Sequence, residues 1–294
     1  MEYLNCGDVN NYQILSQIGN GTYGEVYLAK DTLTNSSVAL KKFKCDLRNE
    51  GFSPSILREI STVSELNHFN IVNMSNVCWD QQNAFLALES MPHDLSAYLQ
   101  KHSPLPVYLV KKFIKQILSG LNHMHNNRLM HRDLKPNNIL VTSNLDIKIS
   151  DFGLAREFKS KPSPYTPVVQ TLWYRAPEVL LGAFKYSEKV DMWSVGCIFA
   201  ELLRGQPVFA GCSCIDQLWK IFRVLGTPSP EEWPQVASCS FYSQDFPFFE
   251  RVNLEALFPE LDSIGLDLMC KLLTYNPALR IDSASALKHP FLIC

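Results

Sequence analysis

Apolar and polar residues alternate through the first ninety positions. Tyr12-Gln-Ile-Leu-Ser-Gln-Ile18 and Glu25-Val-Tyr-Leu-Ala-Lys30 carry a two-residue period, and Ser37-Val-Ala-Leu-Lys-Lys-Phe43 is a third run of the same kind. A period of two puts one face of each segment on a core, so these segments predict strands. Asp31 to Ser37 is rich in turn formers. The period then changes. Ser53-Pro54 is a helix start, and Ile56, Leu57, Ile60, Val63 and Leu66 follow at helical spacing. Two more strand-like runs lie near Ile71–Trp79 and Ala84–Glu89. From Asp94 onward the pattern is helical, over Leu95–Gln100, Tyr108–His125, Val190–Leu203 and Gln217–Leu225. Residues 227–264 are rich in proline and aromatic residues without a clear period and predict irregular structure. The change of period near Met91-Pro92 predicts a sheet-plus-one-helix lobe over 1–92 and a larger, mainly helical lobe over 93–294, an α+β chain.

Composition narrows the possible functions. The chain has 294 residues, 46% of them hydrophobic and 19% charged, which supplies a substantial core and excludes global disorder. Lys and Arg number 27 against 29 Asp and Glu, a net charge of −2. A nucleic-acid binder is normally basic, so no nucleic-acid partner is expected. The imbalance is local: residues 1–92 hold 6 basic and 10 acidic side chains, and residues 93–294 hold 21 and 19. Nine irregularly spaced cysteines do not form a disulfide framework, and Cys212 and Cys214 have no second pair for zinc. The start, Met-Glu-Tyr-Leu-Asn-Cys, does not resemble a signal peptide. The apolar run from Trp193 to Leu203 is too short for a bilayer. The expectation is an intracellular protein, nuclear or cytoplasmic, with no membrane partner.

Gly19-Asn-Gly21-Thr-Tyr-Gly24 fits G-x-G-x-x-G. In a dinucleotide-binding enzyme these glycines open a helix. Here Val26-Tyr27-Leu28-Ala29 continues as a strand, so the glycines belong to a hairpin whose backbone N–H groups can cover phosphates. No G-K-[ST] follows, which excludes a Walker-type loop. Val38-Ala39-Leu40-Lys41 places Lys41 on the third strand, 22 residues after Gly19. Glu59 follows 18 residues later on the helix. His131-Arg-Asp133-Leu-Lys135-Pro-Asn-Asn138 is followed by Ile147-Lys-Ile-Ser-Asp151-Phe-Gly153, with Ala176-Pro-Glu178 beyond it. Asp133 and Asn138 are five apart, and Asp151 comes 13 residues later. Each element alone has an ordinary structural explanation, but in this order they form the protein-kinase signature set.

The chain resembles the eukaryotic protein kinases, and the cyclin-dependent kinases in particular, over about residues 12–292. Ser53-Pro-Ser-Ile-Leu-Arg-Glu59 resembles the P-S-T-A-I-R-E cyclin-binding helix. Thr171-Leu-Trp-Tyr-Arg-Ala-Pro-Glu178, Val190-Asp-Met-Trp-Ser-Val-Gly-Cys197 and the segment 210–260 fit the same group. Tyr165-Thr166-Pro167 does not match the T-x-Y of mitogen-activated kinases.

The resemblance implies a two-lobed fold and the cofactors ATP and Mg²⁺. It assigns Asp133 as the base for the substrate hydroxyl, with Lys135 and Thr171 beside it, and Asn138 and Asp151 as the magnesium ligands. Lys41 is expected on the α- and β-phosphates, oriented by Glu59. Gly19, Gly21 and Gly24 are expected over the phosphates. Adenine is expected against the backbone of Glu89 and Met91, between Ile18, Val26, Ala39 and Leu140, with Leu88 as gatekeeper and Asp94 on the ribose. Thr166 is the implied activating phosphosite, the target of another kinase, and Arg58, Arg132 and Arg156 would gather its phosphate. Thr22 and Tyr23 match inhibitory phosphosites.

A cyclin is the implied partner. Its docking would swing Glu59 into place, which predicts weak activity for the isolated chain. Substrates would be proteins with Ser or Thr followed by Pro. Tyr-Thr-Pro-Val-Val at 165–169 resembles transcription-linked members, and the helix resembles cell-cycle members, so both roles stay open. Two alternatives remain: a pseudokinase acting as a cyclin-binding scaffold, and a metabolic nucleotide-binding enzyme built on the glycine motif. Outside this set, Arg280 is expected to pair with Glu178. Trp173, Trp193, Trp219 and Trp233 are expected to pack in the interior, and His123 and His125 lie on different faces of one helix.

Overall fold

Strand alternation and a short glycine turn fold the first ninety residues into one sheet in the computed structural model, which describes residues 6–21, 24–44, 54–80, 83–158 and 172–293. Its strands are β1 (Cys6–Asp8), β2 (Tyr12–Gly21), β3 (Gly24–Asp31), β4 (Ser37–Lys44), β5 (Met74–Trp79) and β6 (Asn83–Glu89), in the order β1-β5-β6-β4-β3-β2. From β5 to β2 every neighbouring pair is antiparallel. The edge strand β1 runs parallel to β5, with Cys6 opposite Val77 and Asp8 opposite Trp79. Three residues are too few to show a period, so β1 is not visible in the hydrophobic pattern.

The helix α1 spans Pro54–Glu65. Its Ile56 and Ile60 bury against Phe43, Val77, Ala84 and Leu86 of the sheet. That packing fixes the helix's rotation and turns Glu59, one residue before Ile60, inward with 2% exposure. The strands Ile139–Val141 and Ile147–Ile149 are hydrogen-bonded neighbours. The loop after α1 grips the second of them: the Val72 N–H donates to the Ile149 carbonyl and the Ile149 N–H to the Asn70 carbonyl.

The chain divides into two compact units, Met1–His93 with Leu140–Ala155, and Asp94–Ile139 with Arg156–Cys294. The second unit is helical. α2 (Leu95–His102) is capped by Asp94, and α3 (Val107–Asn126) buries Leu109, Phe113, Ile117, Leu121 and Met124 along one stripe. The helix Lys189–Arg204 is buried on every side from Val190 to Leu203, which makes it the centre of this unit. The helices Cys214–Leu225, Ser263–Leu272 and Ser283–Leu287 surround it. Between Gly226 and Asp262 only the short turns Pro234–Ser238 and Leu254–Leu257 are regular. Phe246 and Phe249 of this stretch pack on Trp219.

Each predicted helix is present with its ends moved by one to three residues. The largest shift is at Cys214, where Ser213 caps the first turn by accepting from the Asp216 N–H. No described helix is long and apolar enough to cross a membrane.

Candidate active site

The glycine run lies where strand pairing predicts it. β2 and β3 form a hairpin with Gly19 opposite Val26 and Gly21 opposite Gly24. A strand, not a helix, follows the motif, so the geometry of a dinucleotide-binding enzyme is absent. Gly24 has φ +150°, and a Cβ there would lie 2.0 Å from the Lys42 carbonyl oxygen, so this position admits only glycine. Of the apolar residues expected around adenine, Val26, Ala39 and Leu140 are half-buried and Ile18 is 52% exposed.

Three charged residues meet in the first unit. The Lys41 Nζ lies 2.6 Å from Glu59 Oε1 and 2.8 Å from Asp151 Oδ1. Lys41 and Glu59 are almost fully buried. Burial works against the Lys41 ammonium, but the two carboxylates outweigh it and hold its pKa above the usual lysine value. Burial, with repulsion from Asp151, raises that of Glu59 despite its lysine partner. One ammonium facing two carboxylates leaves a formal surplus of negative charge, a suitable place for a cation.

The isolated chain already holds Glu59 on Lys41. The swing expected of α1 is therefore not required to form this pair, because the burial of Ile56 and Ile60 sets the helix's rotation without a partner.

In the second unit the segment 131–138 folds into a compact loop. Asp133 Oδ2 accepts from Lys135 Nζ at 2.9 Å and from Asn138 Nδ2 at 3.0 Å, and Asn138 Nδ2 also reaches the Asp133 carbonyl at 2.8 Å. The carboxylate is thus locked in one orientation. Asn138, with its amide nitrogen turned to Asp133, and Asp151, with its carboxylate, offer the hard oxygen chemistry that magnesium takes. Among the described residues no group of three or more His, Cys, Asp or Glu side chains could enclose a metal ion. An ion carried mainly by nucleotide phosphates and water fits such a donor set better than a protein cage does.

Two strained residues mark these segments. Arg132 has φ 69° and Asp151 has φ 63°, a region that costs a non-glycine residue on the order of 1–3 kcal/mol. The first is held by Asp191, a residue whose role is not apparent in the motif pattern. Its two carboxylate oxygens accept the N–H groups of His131 at 2.9 Å and Arg132 at 2.8 Å, and His125 Nε2 lies 3.0 Å away. Burial pushes the Asp191 carboxyl up, yet His125, His131 and the Arg132 amide together bring it below the normal range. The signal in the sequence is an acidic residue inside an otherwise apolar helix.

The remaining expected residues lie as follows. Asp94 Oδ1 accepts the Ala97 N–H at 2.7 Å as the cap of α2, so one of its oxygens serves the helix. The Glu89 N–H donates to the Asn73 carbonyl, which leaves the Glu89 carbonyl as its backbone group for a nucleotide. Met91 is half-buried. Arg132 Nη1 reaches the Tyr186 hydroxyl at 3.2 Å, and Arg156 opens a short strand opposite Met130. Thr22, Tyr23, Thr166, Thr171 and the side chain of Arg58 lie outside the described residues.

Residues 12–292 match the family model of the protein kinase domain. The chain belongs to the protein kinase family. It is a phosphotransferase that binds ATP, and protein kinase domains generally use Mg²⁺ with it. The two-lobed α+β architecture above is that of the family.

One further buried acid of this kinase carries a pH prediction. Glu201 accepts a 2.6 Å hydrogen bond from the Tyr174 hydroxyl. Burial raises its pKa from 4.5 to about 6, against the lowering effect of that bond. The folded protein therefore binds the extra proton. Stability falls as pH rises from about 4.5 to about 6, and above that the charged form costs about 2 kcal/mol. Glu201→Gln keeps an acceptor for Tyr174 and should stabilise the protein by up to about 2 kcal/mol at pH 8, and by less at pH 5. Urea unfolding at the two pH values measures this; an equal change at both would show that the charge is not the cause.

Proposed function

We propose that this kinase is a cyclin-activated Ser/Thr protein kinase that transfers the γ-phosphate of ATP to Ser or Thr followed by Pro, in cell-cycle or transcription control. The observation that carries the transfer itself is the locked Asp133 carboxylate, with Lys135 and Asn138 on it. Phosphoryl transfer depends on positioning and charge neutralisation more than on covalent catalysis. Asp133 offers the substrate hydroxyl an acceptor in a fixed place. Lys135 supplies positive charge beside it. Lys41, anchored by Glu59, is suited to the nucleotide phosphates. Bound magnesium, held by Asp151 and Asn138, would neutralise the charge that develops on the phosphate oxygens.

Cyclin dependence is supported by the sequence Ser53-Pro-Ser-Ile-Leu-Arg-Glu59 and by Leu57. This apolar side chain of α1 is 52% exposed on the helix that carries Glu59. Because Lys41 and Glu59 are already paired, a cyclin would act by stabilising that arrangement against others, a shift of population rather than the creation of a new state. Phosphorylation of Thr166 by an activating kinase is part of the same proposal, with Arg58, Arg132 and Arg156 as its partners. The scaffold reading is less well supported, since each catalytic motif position holds the residue that the chemistry needs.

The test is transfer of labelled phosphate from Mg-ATP to paired Ser-Pro and Ser-Ala peptides, with the chain alone and with a panel of cyclins. The proposal expects transfer that rises on adding one cyclin and favours Ser-Pro. ATP binding without transfer under any cyclin, with Thr166 phosphorylated, would favour the scaffold.

A further inference from the structure

The loop after α1, the end of β6 and the strand Ile147–Ile149 meet at the side chain of Glu89. Its Oε1 accepts the Asn73 N–H at 2.7 Å, while its own N–H donates to the Asn73 carbonyl at 3.0 Å. These two bonds close a ring between the loop and the strand end. The same Oε1 lies 2.8 Å from the Lys148 Nζ. Lys148 stands over the ring of Phe69 at 5.4 Å, and its side chain is only 13% exposed. The strand that carries Lys148 is held to the loop by its backbone as well, through Asn70 and Val72. It ends two residues before Asp151.

We infer that the Glu89–Lys148 ion pair is a positioning device for nucleotide binding, which fixes the orientation of the Glu89 peptide so that its carbonyl meets the adenine end of the nucleotide. This rests on the kinase reading of Glu89 as a nucleotide-facing residue. The physical reason is the location of the pair. Glu89 is the last residue of β6, so beyond it the sheet no longer dictates the direction of the backbone. The Asn73 ring constrains Glu89 from one side. Lys148 supplies the second constraint from a strand fixed independently by its own hydrogen bonds. A charge-assisted bond with one partner mostly shielded is strong enough to select one orientation. Lys148 touches no nucleotide in this scheme; it acts through Glu89.

The test uses the full-length chain, with the affinities for Mg-ATP and for adenosine measured by calorimetry or competition. Lys148→Met keeps the length of the side chain and removes the charge. It should weaken both ligands by the same factor, about three- to tenfold, with the urea midpoint unchanged. Lys148→Arg should restore wild-type affinity. Glu89→Gln keeps an acceptor for Asn73 but loses the charge and should match Lys148→Met. The double variant should be no worse than either single one, because the two act as a pair.

Four results would overturn the inference: unchanged affinity in Lys148→Met, no rescue by arginine, effects that multiply in the double variant, or a loss confined to Mg-ATP. The last would place the effect at the phosphate end, near Asp151. A wild-type chain that binds neither ligand would instead refute the nucleotide-facing reading itself.

Discussion

Asp151→Asn should lower phosphate transfer by on the order of 10³-fold while the protein stays folded. In the first unit Asp151 Oδ1 accepts from Lys41 Nζ at 2.8 Å. An amide oxygen can still accept that bond, and Glu59 still anchors the lysine at 2.6 Å. The hydrogen-bond geometry is therefore kept. The negative charge that a magnesium ion needs is removed, and a neutral amide is a far weaker ligand for a hard dication. The loss should appear in kcat more than in stability. Asparagine also tolerates the left-handed backbone, φ 63°, that residue 151 adopts. Steady-state transfer to a peptide, alongside an unfolding curve, checks both halves. Transfer within tenfold of wild type would remove Asp151 from the reacting centre and with it the metal role assigned here.

The largest expected effect on stability comes from a different buried charge. Arg280→Ala should destabilise the kinase by about 3–5 kcal/mol. The guanidinium is 1% exposed and binds Glu178 through both nitrogens, at 2.7 and 2.9 Å. It also donates to the carbonyls of Lys189, Thr274 and Tyr275 and lies over the ring of Trp193 at 5.2 Å. Truncation leaves the Glu178 carboxylate, 2% exposed, without its counter-charge, and three carbonyls lose a donor. Set against a typical total of about 5–15 kcal/mol, that is a large share of the whole. Lysine could not rescue it, since a single ammonium cannot reproduce the fork. Denaturant unfolding measures the change, and a loss under about 1 kcal/mol would show that Glu178 finds another partner or water.

The pairing of Arg280 with Glu178 is one of several features legible in the sequence. A lone arginine after Asn276-Pro-Ala-Leu and a lone acid after Ala-Pro, each in apolar company, need partners if they are buried. The helices of the second unit were legible as well, because burial along one stripe imposes a 3.6-residue period on α3. The helix Lys189–Arg204 shows instead as an apolar run, since it is covered on all sides. The hairpin of the glycine loop followed from the strand pattern on both sides of it. The motif residues could be named because kinase chemistry needs particular side chains in a particular order.

Features that depend on contacts between distant segments were not legible. β1 has too few residues to show a period. Asp191 serves His131 and Arg132 across some sixty positions, and only folding brings its carboxylate beneath two consecutive amides. Local sequence likewise does not assign Leu140–Ala155 to the first unit, although that places Asp151 on Lys41. The orientation of α1 was misjudged for the same reason. Helical spacing shows which face of α1 is apolar, but only the fit of Ile56 and Ile60 against the sheet shows that Glu59 already faces inward in the single chain. The sequence by itself determined the elements, the residue types of the site and their order, because local propensity and reaction chemistry both act on the linear pattern. Which of those residues meet was decided by the tertiary structure, because the burial of apolar faces sets the distances between segments far apart along the chain.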